Sequence, residues 1–243
     1  MFAIFNKEIN SFFSTAIGYV VISIFLLITG LFLWVFPGSF NIFDKGFANL
    51  IPFFEIAPWI FTFLIPAICM RSFSEERKQG TLELILTKPI TLNQLIFGKF
   101  FGAFVLGIFA LIPTVLYIFT ISNLTAEGTS IELGAILSSY FGLILLMACF
   151  TSIGVFASSI TDNQLIAFIS AAFLCLLMFY AFEGISDVQL FGSEIYALEY
   201  LSLSFHYNSM TRGVLDTRDI IYFLSVSVLF LGLAKLQLQN FLK

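Results

Sequence analysis

The sequence predicts an all-α integral membrane protein: an N-terminal amphipathic helix, six transmembrane helices, and a short cytoplasmic helical segment between spans two and three. Three observations lead there. Of 243 residues, 59% are hydrophobic and 11% charged, and the mean hydropathy is +1.01. Too little polar surface remains to cover a water-soluble fold. The apolar residues form long uncharged runs rather than short alternating stretches, which argues against an outer-membrane barrel. The basic residues also fall unevenly along the chain, and that unevenness fixes an orientation.

Residues 2–15 place Phe2, Phe5, Ile9, Phe12 and Phe13 at helical spacing, with Asn6, Lys7, Asn10 and Ser14 between them. That pattern suits a helix lying in the membrane interface. The apolar run that follows is too long for a signal-peptide core and lacks a small-residue cleavage site, so the segment is expected to be retained. Residues 16–36 are uncharged and long enough, at 1.5 Å per residue, to cross a core of roughly 30 Å. They form span one, closed by Trp34 and Pro37-Gly38.

Span two covers residues 54–70, with Pro58 and Pro66 expected to kink it and Glu55 near its outer end. Span three, residues 94–122, opens on the capping-box pattern of Thr91 to Gln94 and contains Pro113. Span four is 133–160. Thr161-Asp162-Asn163-Gln164 repeats the capping pattern and opens span five, 165–182. Residues 183–219 form a polar, amphipathic stretch expected on the membrane surface, with Ile195, Leu198, Leu201 and Phe205 on one face. Residues 220–238 are span six, with Lys235 near enough to its end to snorkel. The whole chain, 1–243, is read as one membrane domain without an internal repeat.

Six spans put both termini on one side. If that side is cytoplasmic, Lys7, Arg71, Arg77, Lys78, Lys88, Lys99, Lys235 and Lys243 lie inside, and Lys45, Arg212 and Arg218 outside. Cys69, Cys149 and Cys175 show no metal-ligand spacing and are taken as small apolar residues. The 33 Phe residues are too diffuse for a ligand surface and serve as apolar bulk.

Between spans two and three, Ser74 to Gln79 continues the second span helically, Gly80 suits a helix stop, Thr81 caps a short helix with Glu83 in its first turn, and Pro89 ends it. A stiff, mixed-charge element of this kind suits docking to a soluble partner. The alternative is an amphipathic loop held at the headgroups.

The run Glu75-Glu76-Arg77-x-x-Gly80-Thr81-Leu82-Glu83-x-x-Leu86-Thr87-x-Pro89-Ile90 resembles the segment between spans two and three of type-2 ABC exporter permeases. Gly154 to Gln164 resembles that family's junction of spans four and five. Phe205-His206-x-x-Ser209-x-x-Arg212-Gly213-Val214-Leu215-Asp216-x-Arg218-Asp219 resembles its entry to span six. Within the family the chain is most similar to permeases associated with bacteroidete gliding motility, whose relatives include copper-processing permeases.

The resemblance implies an N-terminal elbow helix, an inner-membrane location, and a coupling helix that contacts a separate ABC ATPase through Glu75, Glu76, Arg77, Gly80, Thr81, Leu82, Glu83, Leu86 and Pro89. It also implies a second permease half, identical or related, and an auxiliary membrane-anchored extracytoplasmic subunit; lipid surrounds the complex, and nucleic acid is not expected. No G-x-x-x-x-G-K-[ST] occurs in the sequence, so ATP and Mg are assigned to the partner and no cofactor or catalytic residue to this chain.

Two other classes compete. A membrane-embedded enzyme needs clustered His, Asp, Glu or Cys at membrane depth, and the spans offer none. A non-transporting scaffold of a motility or envelope machine is compatible with the same docking segment. His206, the single histidine, is expected to be a satisfied interfacial side chain. Arg212, Asp216, Arg218 and Asp219 are expected to pair and brace span six. Glu55 and Glu183 either line an outer vestibule or snorkel to water. Gly98, Gly102, Gly107, Gly142 and Gly154 allow close helix contact.

Overall fold

A computed structural model describes residues 1–46, 48–87, 89–125, 132–182, 184 and 199–241. Lys88, Glu183, Ile195, Leu198 and Lys243 therefore lie outside the described residues. Among those described, the secondary structure is helical.

Helix α1 (Phe2–Ser14) ends where Thr15 turns extended, and α2 (Ala16–Trp34) leaves it at 68°. The break is capped locally, because the Thr15 hydroxyl donates to the Ser11 and Phe12 carbonyls at 3.1 and 3.2 Å. After the one-turn α3 (Ile42–Lys45) comes α4 (Ile51–Cys69), and a turn at residues 70–73 leads into α5 (Ser74–Lys78) and α6 (Thr81–Leu86). Helix α7 (Leu92–Leu111) passes through a 3₁₀ turn at Ile112–Val115, where Pro113 sits, into α8 (Leu116–Leu124). The remaining helices are α9 (Leu133–Ile160), α10 (Gln164–Leu176) with a π turn at Leu177–Ala181, α11 (Leu203–Thr211) and α12 (Thr217–Phe241).

Five stretches are long and apolar enough to cross a membrane: Ile51–Lys78, Leu92–Leu124, Leu133–Ile160, Gln164–Ala181 and Thr217–Phe241. The bent pair of α1 and α2 makes a sixth candidate.

Helix α9 is central and packs against α4, α7, α10, α11 and α12. Its side chains from Leu145 to Ser159 are nearly all buried, including Thr151, Ser152, Ser158 and Ser159. Those hydroxyls do not cost the helix much, since Thr151 donates to Met147 O at 2.7 Å and Ser152 to Cys149 O at 2.7 Å. The three cysteines are free and buried between helices rather than turned to lipid.

Helix α4 runs unbroken through Pro58 and Pro66. A proline lacks the N–H that would bond the carbonyl four residues back, and at Pro58 that carbonyl belongs to Phe54. The Tyr207 hydroxyl of α11 donates to it at 2.8 Å, from a side chain only 2% exposed. Tyr207→Phe should cost about 1–3 kcal/mol by leaving a buried acceptor unmade. The thermal unfolding midpoint of the solubilised protein measures this, and an unchanged midpoint would remove Tyr207 from the account of the proline.

Three expectations need correction. Asn163, not Thr161, caps α10: its side chain accepts from the Leu165 and Ile166 N–H groups, while Thr161 accepts from the Asn163 N–H at 3.1 Å. Thr81 is the first helical residue of α6, not its cap, and its hydroxyl donates back to Glu76 O at 3.3 Å. The described part of 183–219 does not lie flat on the surface. Helix α11 buries Leu203, Ser204, His206, Tyr207 and Met210 against the bundle, and Leu201, from the expected apolar face, is 48% exposed.

Candidate functional site

The segment 70–90 is fastened at its root. The Phe73 and Ser74 N–H groups, free at the start of α5, donate to Ser158 Oγ at 2.9 and 3.1 Å, and Ser158 donates to Met70 O at 3.2 Å. One hydroxyl from the end of α9 thus satisfies three backbone groups of the turn. Arg77 extends the link: its guanidinium donates to Ser159 O and lies 4.6 Å from the Phe241 ring centroid. A cation at the carbonyl end of α9 also meets the negative pole of that helix.

Beside this root is a buried charge cluster. Lys99 of α7 has a side chain only 1% exposed and places Nζ 2.9 Å from Glu8 of α1 and 2.9 Å from Glu76 of α5. It donates hydrogen bonds to Glu8 and to Ser72 O, while Glu76 Oε2 meets it as an ion pair without a hydrogen bond. Lys7 closes the group at 2.7 Å from Glu76, which gives two cations and two anions in contact. Small residues make the approach feasible, because a Cβ on Gly98 would sit 2.8 Å from Ile4 Cγ2, and one on Gly102 2.6 Å from Glu8 Cβ. Arg71 and Glu75 form a separate two-pronged pair at 2.8 and 3.0 Å.

This geometry divides the residues expected to face a partner. Glu76 is 8% exposed and Leu82 1% exposed, so both hold the segment rather than present it. Glu75 and Arg77 are half-buried and engaged as described. Gly80, with φ of +68°, makes the turn between α5 and α6 and is exposed. Thr81 and Leu86 are half-buried, while Glu83 and Pro89 are exposed.

The outward surface also contains residues that sequence reasoning missed: Lys78, Gln79, Leu84 and Thr87. Leu84 is 64% exposed, and a helical wheel carried the signal. Leu82, Ile85 and Leu86 share one face, and Leu84, two residues from Leu82, falls roughly 200° round. In the sequence Lys99 also carries a signal beyond topology, because a lone charge inside the 95–121 apolar run asks for a partner.

At the opposite end, His206 Nδ1 lies 2.7 Å from Asp219 and Nε2 2.9 Å from Tyr200 O, and the ring stacks on Tyr222 at 4.0 Å. The brace onto α12 is therefore histidine to aspartate, not a set of arginine pairs. Asp216 accepts from the Arg218 N–H at 2.9 Å instead. Glu55 pairs with Lys45 at 3.1 Å.

No curated protein matches the chain. The ABC-2 family transporter protein family matches residues 2–236, which includes the fastened segment, the charge cluster and the entry to α12. With its long apolar helices and that match over nearly its whole length, the chain is a multi-pass membrane protein and belongs to the ABC-2 transporter family.

Proposed function

We propose that the ATPase of this ABC transporter permease docks on the outward face of residues 78–87 and Pro89, and that α4, α5 and α9 carry its displacement into the membrane. The carrying observation is a large apolar side chain, Leu84, 64% exposed on α6, which is seated by the buried Leu82 and follows an α5 fixed by Ser158, Arg77 and Lys99. A buried apolar anchor ringed by polar residues is the usual energetic centre of a protein interface. Here Lys78, Gln79 and Glu83 supply the ring.

The side bearing this segment is cytoplasmic in the proposal, and both termini lie there, since that orientation keeps most basic residues inside. ATP and Mg belong to the partner, and a second permease half, identical or related, completes the pathway. Only the turn at residues 70–73, held by Ser158, separates α5 from α4, so a push that α6 delivers to α5 reaches α4 through a fastened connection. Ser158 passes the same push to α9. The finer placement, among gliding-motility permeases serving a secretion-related or motility process, rests on overall sequence resemblance alone.

Leu84→Asp should reduce recovery of the ATPase subunit with the tagged permease by more than about tenfold, the scale of a lost interface anchor. The permease itself should express and melt normally, because Leu84 supports nothing inside. Equal recovery of the ATPase would sink the docking surface.

A further inference from the structure

Away from the charged cluster, the bundle opens around a cavity of about 1190 Å³ between the starts of α4 and α9, the end of α8, the π turn and α11. Typical small-ligand pockets hold roughly 300–1,000 Å³, so this one admits a bulky occupant. The polarity is graded. Phe54, Phe179 and Tyr207, 4%, 5% and 2% exposed, lie deep, whereas Glu55, Glu132 and Arg212 are exposed at the rim.

Three features point to a ligand rather than a gap in packing. The Oδ1 of Asn49, which lines the cavity, is buried without a hydrogen-bond partner, an expense that a bound donor would remove. Phe179 and Tyr180 enter the wall from a π turn, a rare element that concentrates at functional positions. Tyr180 stacks on Trp59 at 4.0 Å, which leaves an aromatic wall beside carboxylates, favourable to a cation.

The rim carries both signs. Among the described residues Glu132 and Arg212 have no ion-pair partner, and Glu55 is held only by Lys45, in a pair whose side chains are 49% and 29% exposed. Exposed pairs of this kind are worth little and exchange readily. An occupant with a single net charge would satisfy one sign and oppose the other. We infer that the cavity binds a zwitterionic membrane phospholipid, its ammonium toward Glu55 and Glu132, its phosphate toward Arg212, and its chains against Phe54, Pro58 and Phe179. The inference rests on the permease reading for which leaflet supplies the lipid, but not for the chemistry of the site.

Trp34 and Trp59 are the two tryptophans, so Trp34→Phe leaves a reporter in the cavity wall. The test places the full chain in nanodiscs of saturated phosphatidylglycerol, with rising fractions of dibrominated phosphatidylethanolamine or dibrominated phosphatidylglycerol. Bromine quenches tryptophan on contact. The expected result is half-quenching of Trp59 at about a tenfold lower fraction of the zwitterionic lipid, as several exposed charge contacts acting together on one head group predict. Adding Glu132→Gln and Arg212→Gln, both at exposed positions, should abolish the head-group preference without changing the unfolding midpoint. Equal quenching by both lipids means bulk lipid contact only and overturns the inference, as does a preference that survives the double substitution. If the ATPase fails to associate with the wild-type chain while the preference persists, the docking proposal falls and the lipid site stands.

Discussion

Lys99→Ala is expected to destabilise the protein by about 3–5 kcal/mol, because removing one member of a buried ionic group leaves its partners charged and unpaired. The stranded groups are specific. Glu8 and Glu76 side chains are 12% and 11% exposed, Lys7 would remain on Glu76 alone, and the Ser72 carbonyl would lose its donor. The substitution should loosen α1 from α7 and α5 together, since no other charged contact spans all three helices among the described residues. The measurement is the denaturant or thermal midpoint in detergent, paired with protease sensitivity of residues 1–15. A triple variant, Lys99→Met with Glu8→Gln and Glu76→Gln, separates charge from packing. It should recover most of the loss, because apolar or neutral replacement of a whole buried ionic group is often close to neutral. A Lys99→Ala chain with an unchanged midpoint would remove the cluster from any structural role.

The same cluster marks the boundary of what the sequence conveys. Spans were legible because lipid enforces local rules: an uncharged run such as 133–160 must satisfy its backbone internally, so it becomes one helix. The Thr91 capping box was legible for the same reason, since both of its hydrogen bonds are made within four residues. The burial of Glu76 is not legible in the sequence because its environment is set by distant chain. Lys7 is 69 residues away and the Lys99–Glu8 pair spans 91, and no local pattern encodes such meetings. Helix α11 failed similarly. Its buried face is chosen by Ser138 and Ser139 of α9, which donate to the Met210 and Thr211 carbonyls, and by the carbonyl that Pro58 frees on α4. A reading of apolar period alone selected Leu201 and Phe205 instead. At the proposed docking site, the motif located the segment but did not distinguish holding from presenting, because that depends on which face of a six-residue helix meets the bundle.

Gly154→Ala should have a similarly disproportionate effect for a single methyl group. A Cβ there would fall 2.6 Å from Cys69 Cβ and 2.9 Å from Cys69 Sγ, closer than packed carbons tolerate. Neither side can yield easily. Gly154 is inside the central helix, and Cys69 closes α4 with its thiol donating to Thr151 O at 3.8 Å. Overpacking in a dense interior costs about 1–3 kcal/mol, so the midpoint should drop accordingly. The location makes the consequence larger than the number. Cys69 is the last residue of α4 before the turn that Ser158 grips, so prising α9 from α4 there disturbs the root of the segment proposed to receive the ATPase. Stimulation of the partner's ATP hydrolysis should therefore fall more than recovery of the partner, the reverse of the expectation for Leu84→Asp. A double-mutant cycle with Cys69→Gly decides whether contact is the cause. Removing the opposing Cβ should make the pair less damaging than the sum of the singles by about 1 kcal/mol or more, as neighbours sharing one contact do. Strict additivity would instead assign the Gly154→Ala loss to the backbone of α9.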